Sequence, residues 1–222
     1  MTHEYVELMR GRHALIRLTE ESDAEMIVKW RNQPDSARWL NQWKPLTIKE
    51  HLRWFHEARE RGDLLLFFEA LDGTPSGCAS IFDFDHSGTS AEFGRFFSAR
   101  PGGGSKRTLE ACYLLYRMCF DALGFFRLYA QVWTDNDRAW RLYQFMGWVQ
   151  EGIRRKHFLA PDGYHDVRVI GIFPDEFAAQ RKAIEEKLYG CEPAPGITDS
   201  EAQRLREIVS MRIHRPLDRR KP

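Results

Sequence analysis

Residues 136–148 read NDRAWRLYQFMGW and directly follow a strand-like run of residues. Asn136 is typical of a helix N-cap, because its side chain accepts a hydrogen bond from a backbone N–H group of the first turn. Gly147 is typical of a helix C-cap, because glycine adopts the left-handed backbone conformation at little cost. Tyr143 lies between them, where a ring packs readily on one face of an amphipathic helix. The stretch therefore predicts a strand over residues 127–133 followed at once by a capped helix.

Outward from this unit, hydrophobic periodicity predicts further strands and helices along most of the chain. Strands are expected at residues 14–19, 64–71, 77–83, 91–97, 148–157 and 165–172. Helices are expected at residues 22–32, 47–61, 106–123, 175–189 and 200–214. Helices alternate with strands in the middle of the chain, and hairpins occur elsewhere. This order predicts an α+β fold, with a mixed, mostly antiparallel sheet of six to seven strands and helices on both faces.

Two helix starts have the spacing of a capping box, in which a hydroxyl group and a carboxylate three residues later exchange hydrogen bonds with the backbone. Ser22 and Glu25 fit this pattern at the first helix. Thr47 and Glu50 fit it at the second helix. We expect the two helices to begin at these residues.

The character of the chain changes after the last predicted strand. We expect one domain over residues 12–174, a helical extension over residues 175–214 and a frayed basic tail over residues 215–222. One face of the last helix carries Leu205, Ile208, Val209 and Arg212. A helix with an apolar stripe must bury it against protein. Residues 197–214 are therefore expected to pack on the chain's own domain or across a two-fold homodimer.

Composition and charge limit the partners, the cell compartment and the metal sites that we expect. The 222 residues include 33 basic and 32 acidic side chains, so the net charge of +1 gives no indication of a nucleic-acid or membrane partner. The N-terminus lacks a signal-peptide pattern, and the longest apolar runs are only strand-sized. The four cysteines form no CxxC pair, which favours buried, reduced thiols in a cytoplasmic protein. His51 and His56 are five residues apart rather than four, so we expect no metal site.

A glycine-rich loop lies between a predicted strand and a predicted helix. Residues 100–108 read RPGGGSKRT. Loop glycines let backbone N–H groups converge, and a helix N-terminus favours an anion, so a phosphate-bearing ligand fits here as well as a plain loop does. The loop lacks the Gly-Lys-Ser/Thr of phosphate-loop NTPases and the GxGxxG of dinucleotide-binding proteins.

Taken together, these segments resemble the GNAT superfamily of acyl-CoA-dependent N-acetyltransferases over roughly residues 12–174. Residues 136–148, followed by EGIR at residues 151–154, are similar to the family's Asn-x-x-Ala-x-x-x-Tyr-x-x-x-Gly-Phe…Glu-Gly segment, with Trp in place of Phe. The IRLT at residues 16–19 and the WRN at residues 30–32 resemble one branch. That branch contains acetyltransferases for ribosomal-protein N-termini and for amino groups on nucleotide-linked sugars.

The resemblance implies acetyl-CoA as co-substrate and roles for three side chains. Tyr143 matches the family's proton donor to the departing thiolate. Glu92 is the acid on the strand that often supplies the base, although a solvated carboxylate at a strand end fits the sequence equally. Asn136 matches the position that holds the pantetheine arm or a nearby water molecule.

For acetyl-CoA, the resemblance implies contacts along a strand end, the glycine-rich loop and the following helices. The residues implied are Phe96, Phe97, Ser98, Arg100, Gly103, Gly104, Ser105, Lys106, Arg107, Thr108, Asn136, Arg138 and Tyr143. The loop departs from the family's Arg/Gln-x-x-Gly-x-Gly/Ala. In one alignment Gly104 enters the helix. The side chains of Lys106 and Thr108 then crowd the phosphates, or Lys106 and Arg107 instead supply countercharge. In the other, Arg100-x-x-Gly103-x-Ser105 fits the pattern.

The amine acceptor is expected between the first two helices, the last hairpin and the diverging strands. The candidates are Trp30, Arg31, His51, Trp54, Trp133, His157 and Tyr164. Arg31 suits a phosphate or carboxylate on the acceptor. The helical spacing of Trp30 and Trp54 is more typical of core positions.

Three functions remain open from the sequence. The first is acetylation of a small-molecule amine, of which an amino-sugar is one candidate. The second is acetylation of protein N-termini, which needs an open groove rather than a closed aromatic pocket. The third is a catalytically silent acyl-CoA-binding or scaffold module.

Overall fold

An eight-stranded mixed sheet forms the centre of the structure, a computed structural model that describes residues 5–85, 87–99, 106–214 and 217. Its strands are β1 (Glu7–Arg10), β2 (Leu15–Leu18), β3 (Leu64–Glu69), β4 (Pro75–Phe82), β5 (Ser90–Ser98), β6 (Arg127–Trp133), β7 (Val149–Ala160) and β8 (Gly163–Ile172). The helices are α1 (Ala24–Arg31), α2 (Pro34–Ala37), α3 (Ile48–Glu60), α4 (Lys106–Arg117), α5 (Asp137–Met146), α6 (Pro174–Tyr189) and α7 (Asp199–Ile213).

The strand order is β1-β2-β3-β4-β5-β6-β8-β7, and only the β5–β6 pair is parallel. The pairing of β5 with β6 extends over only part of each strand. It ends where Glu92 lies opposite Tyr129, although β5 continues to Ser98 and β6 to Trp133. The two strands therefore diverge and leave an opening in the middle of the sheet, which we call the cleft.

Helices cover both faces of the sheet, as strand β3 illustrates. Its near-continuous apolar run LLLFFE is typical of a strand buried on both faces. Leu66 and Phe68 join the main core, which contains α4, whereas Phe67 packs with Trp30 of α1 and Leu65 packs with Phe55 of α3. The predicted mixed, mostly antiparallel sheet with helices on both faces is confirmed.

The predicted number of six to seven strands is wrong, because residues 7–10 form an additional edge strand. Glu7 lies opposite Arg17 of β2, and Leu8 and Met9 are buried. The charged residues around this short strand hide its pattern in the sequence. Its turn into β2 is held by Glu110 of α4, whose fully buried carboxylate accepts the backbone N–H groups of residues 12–14 at 2.6–2.9 Å.

The capping box predicted at Ser22 and Glu25 is wrong. A single turn of 3₁₀ helix, Glu21–Asp23, precedes α1, and Asp23 accepts the backbone N–H of Glu20 at 2.8 Å. The box at Thr47 and Glu50 of α3 is confirmed, with the two reciprocal bonds at 2.9 and 3.2 Å.

The helix predicted over residues 106–123 also differs in its last turn. Helix α4 is regular only as far as Arg117, and a wider π-helical turn, Met118–Ala122, follows it. Cys112 and Cys119 are buried in the core on these two segments, and all four cysteines are free. Of the helices within the described residues, none is long and apolar enough to span a bilayer.

Helix α7 packs on the chain's own core. Leu205, Val209 and Ile213 are buried there, and Arg206 donates to the carbonyl oxygen of Ala122 at 2.7 Å. The backbone of Ile213 approaches Gly62, which has φ of +83°, so closely that a Cβ at Gly62 would lie 2.8 Å from the Ile213 carbonyl oxygen. Of the two partners expected for the apolar stripe, the structure supplies the chain's own core. Apart from residue 217, the basic tail predicted over residues 215–222 lies outside the described residues.

Candidate active site

Tyr143 lies beside the cleft on α5. Asn136 caps this helix, because its Oδ1 accepts the Ala139 N–H at 3.1 Å. The Tyr143 ring is buried, and its centroid lies 6.1 Å from that of Phe93 on β5 and 5.2 Å from that of Trp148. The cap and these two rings fix the phenol at the point where the strands diverge.

Burial raises the pKa of the Tyr143 phenol, and the neighbouring Cys112 and Glu92 add to the rise. The phenol is therefore protonated at neutral pH. It suits a proton donor rather than a base.

Glu92 lies at the closed end of the cleft, in the last residue pair that joins β5 to β6. Its carboxylate is half-buried. Burial raises the pKa of Glu92 and Asp83 raises it further, while Arg95 and Arg154 oppose the change. The raised pKa brings Glu92 closer to the range in which a carboxylate acts as a general base near neutral pH.

Glu92 borders an open cavity of about 550 Å³ that Asp83 and Arg95 also line. Tyr129 donates a hydrogen bond of 2.6 Å to the Asp83 carboxylate and thereby holds this acid beside Glu92. Residues 92 and 93 point to opposite faces of β5 because side chains alternate along a strand. Glu92 and the Tyr143 ring, which contacts Phe93, therefore approach the cleft from opposite faces of the sheet.

Arg95 has a left-handed backbone with φ of +52°, where the β4–β5 register shifts. A non-glycine residue in this conformation marks an irregular strand. Its guanidinium donates to Asp63 at 2.7 Å and lies over the rings of Phe82 at 3.9 Å and Trp54 at 5.1 Å. Arg95 lines both the open cavity at Glu92 and a second cavity.

The second cavity has a volume of about 190 Å³ and lies between α1, α3 and the sheet. Three acceptor candidates line it: Arg31, His51 and Trp54. The His51 and Trp54 rings stack at 5.5 Å. Burial lowers the pKa of His51 to about 4, and Arg31 contributes to the same effect. We call this space the Arg31 cavity.

The other four acceptor candidates do not line the Arg31 cavity. Trp30 is buried against Phe67 and Phe97, so its ring belongs to the core beneath that cavity. Trp133 lies in a separate cluster, where its Nε1 donates to Asn41 at 3.0 Å. That cluster contains the rings of Trp39, Trp43, Trp133, Phe158 and His165.

The remaining two acceptor candidates lie on the β7–β8 hairpin. His157 and Tyr164 are both exposed there, and Tyr164 has 63% of its surface accessible. Their place on the last hairpin predicted that they line the acceptor site, but the register of this long hairpin directs them to solvent.

The acetyl-CoA candidates lie on both sides of the cleft entrance. Ser98 Oγ at the end of β5 lies 3.3 Å from Thr108 Oγ1 in the first turn of α4. Phe97 is buried against Trp30, and Phe96 contacts the rings of Phe68 and Phe93. The strand end and the helix start are therefore held together.

The basic candidates are near the same entrance. Lys106 Nζ donates to the Leu188 carbonyl oxygen at 3.3 Å, and Arg107 lies 3.9 Å from Asp72. Arg138 is exposed on α5. Arg100, Gly103, Gly104 and Ser105 lie outside the described residues.

The sequence did not indicate Asp83 or Arg95 as site residues. Asp83 also has a positive φ, of 51°, at the end of β4. An Asp after an apolar strand is a weak signal for a turn. Nothing in the sequence signals the left-handed conformation of Arg95, which occurs at the register shift between β4 and β5.

The sequence profile described as Acetyltransferase (GNAT) domain matches residues 13–149. No curated protein matches the chain significantly. Among solved structures, a protein from T. thermophilus that is described as an acetyltransferase is 25% identical, with a TM-score of 0.68. That match covers 85% of this chain and 100% of the other.

Two more distant structures share the fold. A GCN5-related N-acetyltransferase from Brucella melitensis is 18% identical over 93% of this chain and 100% of its own, with a TM-score of 0.69. Spermidine N-acetyltransferase from Vibrio cholerae, in complex with CoA and spermine, is 22% identical over 75% of this chain and 98% of its own, with a TM-score of 0.65. Because the domain profile matches more than half of its length, the chain belongs to the GNAT family of acetyl-CoA-dependent N-acetyltransferases.

Proposed function

We propose that this enzyme transfers an acetyl group to the primary amine of a small molecule, by direct attack in a ternary complex. An amino-sugar is the first candidate for the acceptor. The observation that carries the proposal is the pair of proton-transfer groups at the cleft. Glu92, with a raised pKa, approaches from one face of the sheet, and the protonated Tyr143 approaches from the other.

The described residues fit acetyl-CoA. Beyond Glu92, β5 has no neighbouring strand on its β6 side within the described residues, so backbone groups of residues 96–98 are available for the pantetheine amides. Lys106 and Arg107 at the start of α4 supply positive charge for the pyrophosphate. Asn136 keeps its side-chain NH₂ for the arm while its oxygen caps α5. When bound, acetyl-CoA supplies the thioester.

In this reaction Glu92 accepts a proton from the incoming amine, directly or through a water molecule, because only a neutral amine attacks a thioester. Tyr143 holds a proton on Oη for the sulfur as negative charge develops there. The apolar rings of Phe93 and Trp148 around Tyr143 keep its phenol protonated, because burial disfavours the charged form.

The small volume of the Arg31 cavity supports a small acceptor over a peptide. A volume of about 190 Å³ suits one ring or one acidic group rather than an extended chain. A protein N-terminal acetyltransferase would need a groove open to several residues of its substrate. Peptide acetylation is therefore an alternative outcome of the same assay.

The test is release of free CoA thiol with a panel of amines. The panel contains amino-sugars, nucleotide-linked amino-sugars, polyamines and peptides with free N-termini. We expect acetylation of one small-molecule class, in a reaction that needs acetyl-CoA. Activity confined to peptides would identify the N-terminal alternative. Calorimetry with acetyl-CoA is the control, since binding without transfer to any amine would favour a silent acyl-CoA-binding module.

A further inference from the structure

The Arg31 cavity contains a positive charge without a partner. Its volume of about 190 Å³ exceeds the roughly 150 Å³ of a cavity that accepts benzene. Arg31 Nε is buried without a hydrogen-bond partner. Among the described residues no carboxylate lines the cavity, and Arg31 forms no ion pair. Burial lowers the pKa of Arg31, and nearby Arg95 adds to this effect.

A second arginine shows how this chain treats a buried guanidinium that has a structural role. Arg17 is buried in the main sheet and binds both oxygens of Asp23, at 2.7 and 2.8 Å, and Glu69 at 2.8 Å. Arg95, the other guanidinium at the cavity, is paired with Asp63 at 2.7 Å. Buried charges are ordinarily paired, because removal from water is otherwise costly. Arg31 as a whole is only half-buried, but its Nε is buried without an acceptor, and an anionic ligand would supply the missing partner.

His51 supplies a second unsatisfied group in the same cavity. Only 2% of its surface is exposed, and its Nδ1 is buried without a partner. With a pKa of about 4, the imidazole is neutral at pH 7 and presents one N–H donor. The stacked Trp54 ring covers its face. A neutral N–H donor next to a cation favours an anionic ligand and disfavours a cationic one.

The two cavities on either side of Arg95 are lined by groups of opposite charge. On its other side, the open cavity holds the carboxylates of Glu92 and Asp83. An ammonium group is attracted to that side and an anion to the Arg31 side. The Arg95 side chain lines both cavities, so they are neighbours on two sides of one residue.

We propose that the acceptor carries an acidic group, a carboxylate or a phosphate, which binds in the Arg31 cavity to Arg31 and His51 while its amine lies at Glu92. This inference rests on the proposed function for the amine end. The anion site itself is a property of the cavity and can be tested without any transfer reaction.

The first test measures anion binding through the melting temperature, with sodium acetate and inorganic phosphate as probes and sodium chloride at matched ionic strength as reference. We expect at least one probe to stabilise the wild type and Arg53→Gln, an exposed control on α3. The same probe should leave Arg31→Gln unchanged and stabilise Arg31→Lys weakly, because lysine keeps the charge but not the planar fork. Which probe acts distinguishes a carboxylate from a phosphate.

Equal stabilisation of all variants, or of none, would overturn the anion site. Misfolding of Arg31→Gln is checked by its melting temperature without anions. We expect that temperature to be no lower than that of the wild type, since the change removes a half-buried charge with no ion-pair partner among the described residues. A lower value shifts the comparison to Arg31→Lys, whose response must then be weaker than that of Arg53→Gln.

The second test uses matched acceptors in the transfer assay: glucosamine with glucosamine 6-phosphate, and tyramine with tyrosine. We expect the acidic member of one pair to have a KM at least tenfold lower, and Arg31→Gln to abolish that difference. Transfer without any preference for the acidic member would contradict the inference and leave the proposed function intact. Anion binding without acetyl transfer to any amine would support the anion site and contradict the proposed function.

Discussion

Tyr143 provides the sharpest residue-scale prediction. Tyr143→Phe keeps the ring against Phe93 and Trp148 and removes only the hydroxyl group. We expect kcat to fall more than tenfold with little change in the Kd of acetyl-CoA, because the hydroxyl matters only as charge develops on sulfur. Steady-state kinetics and calorimetry measure the two quantities. Tyr5→Phe is the matched control, and an unchanged kcat for Tyr143→Phe would remove the proton-donor role.

Glu92 leads to a prediction about pH. A base must be ionised, so kcat/KM should decline as pH falls through the raised pKa of Glu92. Glu92→Gln should lower kcat/KM and abolish this acidic limb. Asp83→Asn should move the limb to lower pH, since it removes a carboxylate that raises the Glu92 pKa while its oxygen still accepts from Tyr129. The exposed control Glu25→Gln should keep the acidic limb at its original pH. If both test variants kept it there too, the base would lie elsewhere.

A site residue could be predicted from the sequence where its neighbours along the chain determine its position. Asn136 and Gly147 were predictable because a cap acts within one turn of the helix it ends. The meeting of Arg31 with His51 was not, because it depends on how α1 packs against α3. The roles of Tyr143 and Glu92 stay predictions, although the structure brings both to the cleft.

At the scale of elements, the long apolar segments were predictable and the short or irregular ones were not. Strand β3 is recognisable by six consecutive residues that are buried on both faces. Strand β1 is only four residues long, and its pattern is masked by charges that pair with neighbours such as Arg10 with Glu7. The π-helical turn after α4 likewise has no local signature, because the core around it determines the wider turn.

Helix α7 allows a direct test of an element's packing. Leu205 is 1% exposed in the main core, whereas Met211 on the same helix is 70% exposed. We expect Leu205→Ala to lower the free energy of unfolding by about 2–5 kcal/mol, through lost burial and the cavity that remains. Met211→Ala should stay within about 0.5 kcal/mol of the wild type. Equal effects in denaturant titrations would show that α7 does not pack as described.

At the scale of the whole molecule, the extension after β8 and the preceding core depend on each other. Arg12 donates to the Pro193 carbonyl oxygen at 2.9 Å, and Arg117 donates to that of Pro195. Arg204 reaches back to the Glu7 carbonyl oxygen at 3.0 Å. The linker before α7 is thus bound by two side chains of the core, and α7 itself is bound to β1.

Deletion of residues 191–222 should therefore damage the fold rather than remove a separate unit. The deletion strips Leu205, Val209 and Ile213 from the core, at roughly 1.5–3 kcal/mol each. That loss is comparable with the whole stability of a typical domain, about 5–15 kcal/mol. We expect insoluble protein or a melting temperature lower by more than about 10 °C, because each kcal/mol of lost stability lowers the midpoint by about 2–4 °C in a chain of this size. Deletion of residues 218–222 alone is the control, since it retains every described residue. If the longer deletion kept the melting temperature, the sedimenting mass and acetyl-CoA binding, α7 would be dispensable to the enzyme, and the buried contacts of its apolar stripe would contribute nothing measurable.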